Sequence, residues 1–366
     1  RNYEALLSIN PGYDYSLGNL VNAKLYSCDW TNYDKRAGQL ADCVRANRRS
    51  SLPFILLAVS DSAKDQLLCA RTHVEDKYPA SATPLWNNHR YHHDKIRIAY
   101  LSADFREHAV AYLMAGLFEK HDRKRFETTA IAFSPYASDK MQTRLEAAFD
   151  TFIDVTTKSD LEIARLLRDS EIDIAVDLMG FTRHYRIGVF AQRPAPVQVN
   201  YLGYPGTLGA DYIDYIIADR AVIPDERRAC YAEKVVYLPD TYQANDAQRH
   251  IAERIPTRAE AGLPENGFVF CSFNNSYKIT PSFFEIWMRL LRRIEGSVLW
   301  LLGENAAAVG NLRHEASQRG IAPHRLVFAS RVQYADYLAR YRLADLFLDT
   351  LPFNAGTTAS DALWAG

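Results

Sequence analysis

Apolar residues in the first 80 positions recur at the spacing of an α-helix. Leu40 and Val44 belong to one such series between positions 18 and 47, and a second series runs from 52 to 74. Residues three or four positions apart line one face of a helix. We therefore predict a helical region over residues 1–90, whose end is a linker rich in proline and asparagine. Its one or two helical hairpins are too few to establish a repeat period.

After position 94 the pattern changes to short, continuous apolar runs that alternate with helical stretches. Such runs are typical of parallel strands buried on both faces, and their alternation with helices implies doubly wound sheets. A polar, charged stretch at 240–265 separates two series. Strands are predicted at 96–101, 128–133, 152–155, 172–178, 197–202, 212–218 and 235–238, and then at 268–273, 298–302, 326–328 and 346–348.

The predicted fold class is therefore α/β, with two doubly wound domains after an all-α region. The first domain covers 91–240 and the second covers 241–366. The second series stops at Gly366, inside or just after a helix that begins near position 358. Because a doubly wound half normally continues with more strands, we expect this domain to lack its C-terminal part.

Charge, apolar runs and cysteines narrow the class of protein. With 43 lysine and arginine residues against 44 aspartate and glutamate residues, the net charge is −1, which argues against a nucleic acid or an anionic membrane as partner. The longest apolar run, 52–59, is far shorter than the roughly 18 residues of a membrane span. Five cysteines without a Cys-x-x-Cys pair predict reduced thiols in a cytoplasmic protein.

The segment 351–366 is the strongest candidate for a ligand site in the crevice expected between the domains. It follows a predicted strand, and Thr357 and Thr358 place two hydroxyls and several N–H groups at a helix start. This arrangement suits a diphosphate, and Asp361, one turn later, can accept hydrogen bonds from ribose hydroxyls. The alternative is ordinary capping, with Thr357 as N-cap and Asp361 complementing the helix dipole.

A second polar segment, 271–281, follows the strand predicted at 268–273. It holds Asn275 and Lys278 just before a helix. A lysine at this place can neutralise charge on a leaving phosphate. The alternative is a solvated surface lysine, which is the usual fate of this residue.

A third segment, 199–215, is a loop in which Gly203 and Pro205 give a rigid backbone that a ligand can approach closely. Its spacing is Gly-x-x-Gly-x-x-Gly. Neither Gly-x-Gly-x-x-Gly nor Gly-x-x-x-x-Gly-Lys occurs in the sequence, so the usual support for NAD binding or a phosphate-loop nucleotidase is missing.

Two residues that follow strands of the first domain are candidates for acid–base chemistry. His108, with Asp104 nearby, stands at a helix start and can act as a general base or position a substrate. The alternative is a capping or core histidine. Asp177 can be a buried proton acceptor, although an aspartate at such a place more often caps a turn.

Metal chemistry has little support in the sequence. The cluster of His89, His92 and His93 lies in an irregular linker without a partnered cysteine, and no Asp-x-Asp triplet is present. We therefore predict no metal site, and expect a lysine and helix N-termini to neutralise a diphosphate.

Several long blocks of the sequence resemble one known family over residues 95–366. The blocks are SADFREH, QRPAPVQVNYLGYPGT, DYIIAD, EKVVYLPDTY, CSFNNSYKITP, SVLWLLG and LADLFLDTLPFNAGTTASDALWAG. They resemble the catalytic region of the O-linked N-acetylglucosaminyltransferases, in a bacterial form. The helical region looks like the end of the tetratricopeptide repeats that precede this catalytic region, and KLYSCDW (24–30) fits the helices that join the two.

The resemblance implies a GT-B fold with two Rossmann-like domains. It also implies transfer of N-acetylglucosamine from UDP-GlcNAc to serine or threonine hydroxyls of proteins, with inversion and without a metal. UDP-GlcNAc is then the donor substrate, and protein acceptors are the partners, engaged by the helical repeats.

The resemblance assigns roles to residues by motif position. It implies that Lys278, Thr357 and Thr358 contact the diphosphate and that Asp361 binds the ribose. Val332 and Tyr337 fall where the family holds uracil, Gly203 and Pro205 match the wall around the sugar, and His108 matches a histidine proposed as base or acceptor-positioning group.

This sequence departs from the family at three positions. Asn275 stands where the animal enzymes have glutamine, Tyr337 stands where a histidine holds the base, and Gly356 replaces a phosphate-contacting histidine. Two other functions stay open at this point. One is a UDP-GlcNAc 2-epimerase-like enzyme, and the other is a non-catalytic scaffold that binds UDP-sugars.

Overall fold

The computed structural model describes residues 2–134 and 139–366 of the chain. The region before position 78 is helical, as predicted, but each of the two expected helical stretches is interrupted once, at 27–32 and at 58–62. The five helices are α1 (Asn2–Ile9), α2 (Ser16–Tyr26), α3 (Tyr33–Arg45), α4 (Pro53–Leu57) and α5 (Ala63–Lys77).

The first predicted series of strands forms a seven-stranded parallel sheet. Its strands are β1 (Ile96–Ser102), β2 (Phe126–Ala132), β3 (Thr151–Asp154), β4 (Ile174–Asp177), β5 (Val197–Asn200), β6 (Tyr215–Ala218) and β7 (Lys234–Tyr237). Their hydrogen-bonded order is β3-β2-β1-β4-β5-β6-β7. The order reverses between β1 and β4, and ligands of doubly wound sheets bind at the carboxyl ends of strands at such a point.

Helices connect these strands. They are α6 (Ala109–Glu119), α7 (Lys140–Ala148), α8 (Asp160–Asp169) and the short α9 (Ile187–Ala191). The sequence pattern predicts the first three. It does not predict α9, because five residues are too few to show a helical period.

The second predicted series forms a four-stranded parallel sheet. Its strands are β8 (Val269–Ser272), β9 (Val298–Leu302), β10 (Leu326–Ala329) and β11 (Leu346–Phe347), in the order β10-β9-β8-β11. The helices that accompany it are α10 (Pro281–Arg293), α11 (Ala306–Gln318), α12 (Tyr334–Arg340) and α13 (Thr357–Ala365). All eleven predicted strands are therefore present, in two parallel sheets.

The chain divides into two compact units. The seven-strand unit comprises residues 47–54 and 62–248, and the four-strand unit comprises the residues up to Ala46, 55–61 and 249–366. The division at 248 lies inside the polar stretch expected to separate the two domains. The early helices do not form a third unit, because α2 and α3 belong to the four-strand unit and α5 belongs to the seven-strand unit.

Aromatic and polar contacts join these helices to their units. Trp30, just after α2, has its ring centre 5.2 Å from that of Phe284 on α10. In the seven-strand unit, the hydroxyl of Tyr212 donates to the carbonyl of Tyr78, just after α5, at 3.0 Å. Buried aromatic rings contribute large apolar areas, so the segments that follow α2 and α5 pack as parts of α/β units. Within the described residues, no helix combines the length and apolar character that a membrane crossing requires.

Candidate functional site

Lys278 lies in a short 3-10 turn that follows β8 in the four-strand unit. Its Nζ donates a hydrogen bond to the carbonyl oxygen of Asn354 at 2.8 Å and lies 3.9 Å from the centre of the Phe353 ring. Burial lowers the pKa of Lys278 to about 8, and the charge of Asp349 opposes this shift. Lys278 is therefore not the solvated surface lysine of the alternative interpretation.

The start of α13 provides the second part of this site. Gly356 is the N-cap and makes no side-chain cap hydrogen bond, and Thr357 is the first helical residue. The interpretation of Thr357 as N-cap is therefore wrong, because the helix begins one residue earlier than that role requires. The first N–H groups of a helix lack intrahelical acceptors and carry partial positive charge, which suits an anion.

Two hydrogen bonds join these parts. Lys278 reaches Asn354, and the hydroxyl of Thr358 donates to Oδ1 of the buried Asn274 at 2.7 Å. The loop after β8 is thereby connected to the start of α13. Asn275 begins the 3-10 turn, is exposed, and accepts the backbone N–H of Lys278 at 3.0 Å. A cationic side chain and an uncapped helix start thus lie at the carboxyl ends of parallel strands, where doubly wound proteins bind anions.

Asp361 is buried within α13 and is paired. Its Oδ1 accepts from Nη1 of Arg249 at 2.9 Å and from the hydroxyl of Tyr334 at 2.8 Å. Burial raises its pKa, while Tyr334 and Arg249 act in the opposite direction. Asp361 is the fifth residue of α13 and lies beyond its first turn. A carboxylate there does not complement the helix dipole, because that effect is confined to the first turn. Its assignment to ribose stays a prediction.

The two residues predicted to hold the base have different surroundings. Val332 is 47% exposed, in the loop between β10 and α12. Tyr337 packs inside α12: its hydroxyl is 2.7 Å from that of Tyr341, and its ring stacks on Tyr334 with centres 5.9 Å apart. The guanidinium of Arg340 also lies over the Tyr337 ring. Stacking of Tyr337 on a base stays a prediction, since the ring already has aromatic and cationic partners.

His108 is the N-cap of α6, in the seven-strand unit. Its Nδ1 accepts from the backbone N–H of Val110 at 3.4 Å and lies 3.4 Å from Oδ2 of the buried Asp104. The capping interpretation therefore describes part of its role. The nearby carboxylate of Asp104 adds a second feature, because it can stabilise the positive charge of the imidazole once the ring has taken up a proton.

Asp177 ends β4 and is buried. Its two oxygens accept from the backbone N–H groups of Met179 at 2.9 Å and Gly180 at 3.0 Å, so it caps the turn after the strand. Burial raises its pKa to about 6, against the two hydrogen bonds. The capping alternative thus describes Asp177, and a catalytic role stays a prediction.

The loop that contains Gly203 and Pro205 is tightly packed at the glycine and open at the proline. A Cβ on Gly203 would lie 1.8 Å from the carbonyl oxygen of Leu178, so only glycine fits there. Pro205 is exposed. Further along this loop, the Thr207 hydroxyl and the Leu208 N–H donate to the carboxylate of the buried Glu233, each at 2.6 Å. Glu233 itself lies just before β7.

Glu233, Arg249 and Arg340 have structural roles that the amino-acid sequence does not signal. All three are buried charged side chains. Each lies in or beside a polar segment of the sequence, and charged side chains in such segments are normally solvated. The local composition therefore does not indicate that these three side chains are buried. For metals, the described part of the chain contains no group of three or more histidine, cysteine, aspartate or glutamate side chains arranged to hold an ion.

The fold and this site define a class: parallel, doubly wound α/β proteins whose four-strand unit is suited to an anionic ligand. Comparison with known proteins identifies the family. The model of glycosyl transferase family 41 matches residues 27–255 and 249–366, so the chain belongs to this family.

Relatives and one solved structure agree with this placement. The chain is 36% identical over 277 residues to a probable UDP-N-acetylglucosamine–peptide N-acetylglucosaminyltransferase of Arabidopsis thaliana, and 26% identical to such a transferase of Caenorhabditis elegans. These alignments cover 74% and 93% of this chain, but only 28% and 40% of the relatives. A mutant of Thermobaculum terrenum O-GlcNAc transferase matches with a TM-score of 0.79 and 29% identity, over 99% of this chain and 70% of that one. The fold is thus the mixed α/β, GT-B fold of that structure.

Proposed function

We propose that this protein transfers N-acetylglucosamine from UDP-GlcNAc to serine or threonine hydroxyls of proteins. The observation that carries the proposal is the contact of Lys278 with Asn354, in the loop that leads into the uncapped start of α13. The names of the relatives, which are UDP-N-acetylglucosamine–peptide transferases, support the donor and the kind of acceptor. In this proposal the diphosphate of the donor binds Lys278, Thr357 and Thr358.

The proposed reaction is a direct displacement with inversion and without a metal ion. The acceptor oxygen forms a bond to the anomeric carbon while the bond from that carbon to the diphosphate oxygen breaks, and UDP leaves. Lys278 and the N–H groups at the start of α13 stabilise the negative charge that develops on the diphosphate. Preorganised donors of this kind usually supply the largest catalytic contribution.

The acceptor hydroxyl loses its proton in this reaction. We assign that proton to the imidazole of His108, whose Nδ1 lies near the carboxylate of Asp104. Catalysis by a positioned histidine typically contributes about 10²–10⁴-fold. We assign to Asp177 the role of holding the turn that follows β4, because both of its oxygens accept backbone hydrogen bonds from that turn.

The remaining predicted contacts belong to the same proposal. Asp361 binds the ribose, and Val332 and Tyr337 bind the base. Asn275, Gly203 and Pro205 lie around the sugar and its phosphate. We further propose that α1 to α5 are the end of a tetratricopeptide region that engages protein acceptors. The five free cysteines support action in the reducing cytoplasm.

One assay separates this function from its rivals. The purified protein is incubated with UDP-GlcNAc and a cell lysate in the presence of a chelator, and the products are analysed by mass spectrometry. Transfer predicts a mass increase of one N-acetylhexosamine on serine or threonine. Conversion of the donor to its 2-epimer, without modified protein, would favour the epimerase-like enzyme. Binding of UDP without either product would favour a scaffold.

A further inference from the structure

The loop between β11 and α13 is folded around one carboxylate. Oδ1 of Asp349 accepts from the backbone N–H groups of Thr350 at 2.7 Å and Ala355 at 2.6 Å. Oδ2 accepts from Nδ2 of Asn354 at 2.6 Å. The bonds from Asn354 and Ala355 join the last two residues of the loop to its first residue, so Asp349 closes the loop 349–355.

The same loop supplies the contacts of Lys278. The Nζ of Lys278 donates to the carbonyl of Asn354 and lies over the ring of Phe353. Asn354 is also the residue whose side-chain amide is held by Asp349. The position of the ammonium group therefore depends on a loop whose shape depends on Asp349.

Asp349 also acts on Lys278 by charge. Burial lowers the pKa of Lys278 to about 8, and the carboxylate of Asp349 opposes this shift. An opposite charge close by favours the protonated form of a lysine. Without that carboxylate, a larger fraction of Lys278 would be neutral at pH 7.5, and a neutral amine attracts a diphosphate far less.

We propose that Asp349 is a positioning residue of the phosphate site, which presents Lys278 and the start of α13 to the diphosphate of a nucleoside diphosphate. Its three hydrogen bonds are made to its own loop, so it acts through Lys278 and the loop and does not touch the ligand. This inference rests on the proposed function of the same site. It adds a residue that shapes the site and sets the charge of its lysine.

Calorimetric titration with UDP of the wild type and two variants tests the positioning role. Asp349→Ala removes the acceptors and the charge, and we expect the Kd for UDP to rise at least about tenfold, since a site displaced by about 1 Å can lose a hundredfold. Asp349→Asn keeps one oxygen as acceptor, so we expect a smaller rise. Asp345→Asn is the matched control, because Asp345 also accepts a backbone N–H, from Val269, and it precedes β11, whereas Lys278 follows the carboxyl end of the paired strand β8. We expect its Kd to be unchanged.

A second readout tests the effect of charge without any nucleotide. The rate at which Lys278 is acetylated is measured against pH by mass spectrometry, which gives the pKa of its amine. We expect this pKa to fall in Asp349→Ala and Asp349→Asn and to stay unchanged in Asp345→Asn. UDP binding by both Asp349 variants should then weaken at a lower pH than in the wild type.

The outcomes separate the two proposals. A wild type that does not bind UDP contradicts the proposed function, while a fall in the pKa of Lys278 still supports the action of Asp349 on the lysine. An unchanged Kd in Asp349→Ala would overturn the positioning role. A raised Kd together with an unchanged lysine pKa would support the positioning of Lys278 by the loop and overturn the effect of Asp349 on the charge of the lysine. Melting temperatures within a few degrees of the wild type establish that each variant is folded.

Discussion

The carboxylate of Asp361 lies 2.9 Å from the guanidinium of Arg249, and both side chains are almost completely buried, at 3% and 2% exposure. The pair joins α13 to the polar segment that begins at Arg249, where the chain re-enters the four-strand unit. The ring of Trp364 covers the guanidinium, 4.8 Å from its centre, and donates its indole N–H to the carbonyl of Arg249. This pair therefore fixes the helix whose first turn forms the candidate phosphate site.

Removing one member of this pair is expected to destabilise the protein strongly. Arg249→Met leaves the carboxylate of Asp361 buried beside Tyr334 without its cation, and a loss of about 3–5 kcal/mol is typical for such a change. The exposed pair of Arg254 and Glu260 is the control, because Arg254→Met should cost less than about 1 kcal/mol. Urea denaturation monitored by tryptophan fluorescence measures both. If both substitutions lower the free energy of unfolding equally, burial does not increase the contribution of the pair of Arg249 and Asp361 to stability.

Asp177 predicts a pH dependence of stability. Its pKa is raised from 3.8 to about 6 in the folded protein, so folding favours the protonated acid. Binding of this proton therefore stabilises the folded state by about 3 kcal/mol. This contribution is fully present below pH 3.8 and is lost as the pH rises through 6. We expect the melting temperature of the wild type to fall relative to Asp177→Asn between pH 4 and pH 7. Asp211→Asn, the same substitution at an exposed site, is measured alongside as the control for the change of residue.

His108 is expected to act on transfer and not on donor binding. His108→Ala should lower the rate of transfer by about a hundredfold or more, as loss of a general base does, and leave the Kd for UDP within about twofold. Asp104→Asn should cause a smaller loss and move the pH profile of transfer, because Asp104 contacts the imidazole. Calorimetry and a transfer assay on the same preparations give both numbers. Equal losses of UDP binding and of transfer in His108→Ala would contradict a role of His108 toward the acceptor hydroxyl.

Glu233 is expected to hold the glycine-rich loop in its conformation. Glu233→Ala leaves the Thr207 hydroxyl and the Leu208 N–H without their acceptor, at a cost of about 1–3 kcal/mol. Glu233→Gln keeps one acceptor oxygen and should retain most of the stability. Hydrogen exchange of the Leu208 amide reports directly on this contact. An amide that exchanges equally slowly in Glu233→Ala and the wild type would contradict the role of Glu233.

The strands and the helix starts could be predicted because their signal is local. β8 and β9, for example, are short apolar runs that are almost entirely buried, as burial on both faces of a sheet requires. The sequence predicts a helix from about position 358, and α13 begins one residue earlier, at Thr357. Tyr337 lies three positions after Tyr334 and four before Tyr341, and this spacing explains why its side chain contacts both.

The partners of the charged residues could not be predicted from the sequence. Arg249 and Asp361 are 112 positions apart, and Lys278 and Asn354 are 76 apart. Such contacts depend on how strands and helices pack, and a charged residue in a polar segment is usually solvated. The sequence points to a ribose or the helix dipole as the partner of Asp361 and contains no sign of its ion pair with Arg249.

Calorimetric titration of the wild type and Lys278→Ala with UDP tests the central claim most directly. We predict that the wild type binds UDP, that its affinity weakens above pH 8 as Lys278 loses its proton, and that Lys278→Ala binds at least about tenfold more weakly at pH 7, because a charge-assisted contact to phosphate is lost. Equal dissociation constants for the two proteins, or a wild-type affinity that does not change between pH 7 and pH 9, would contradict the account.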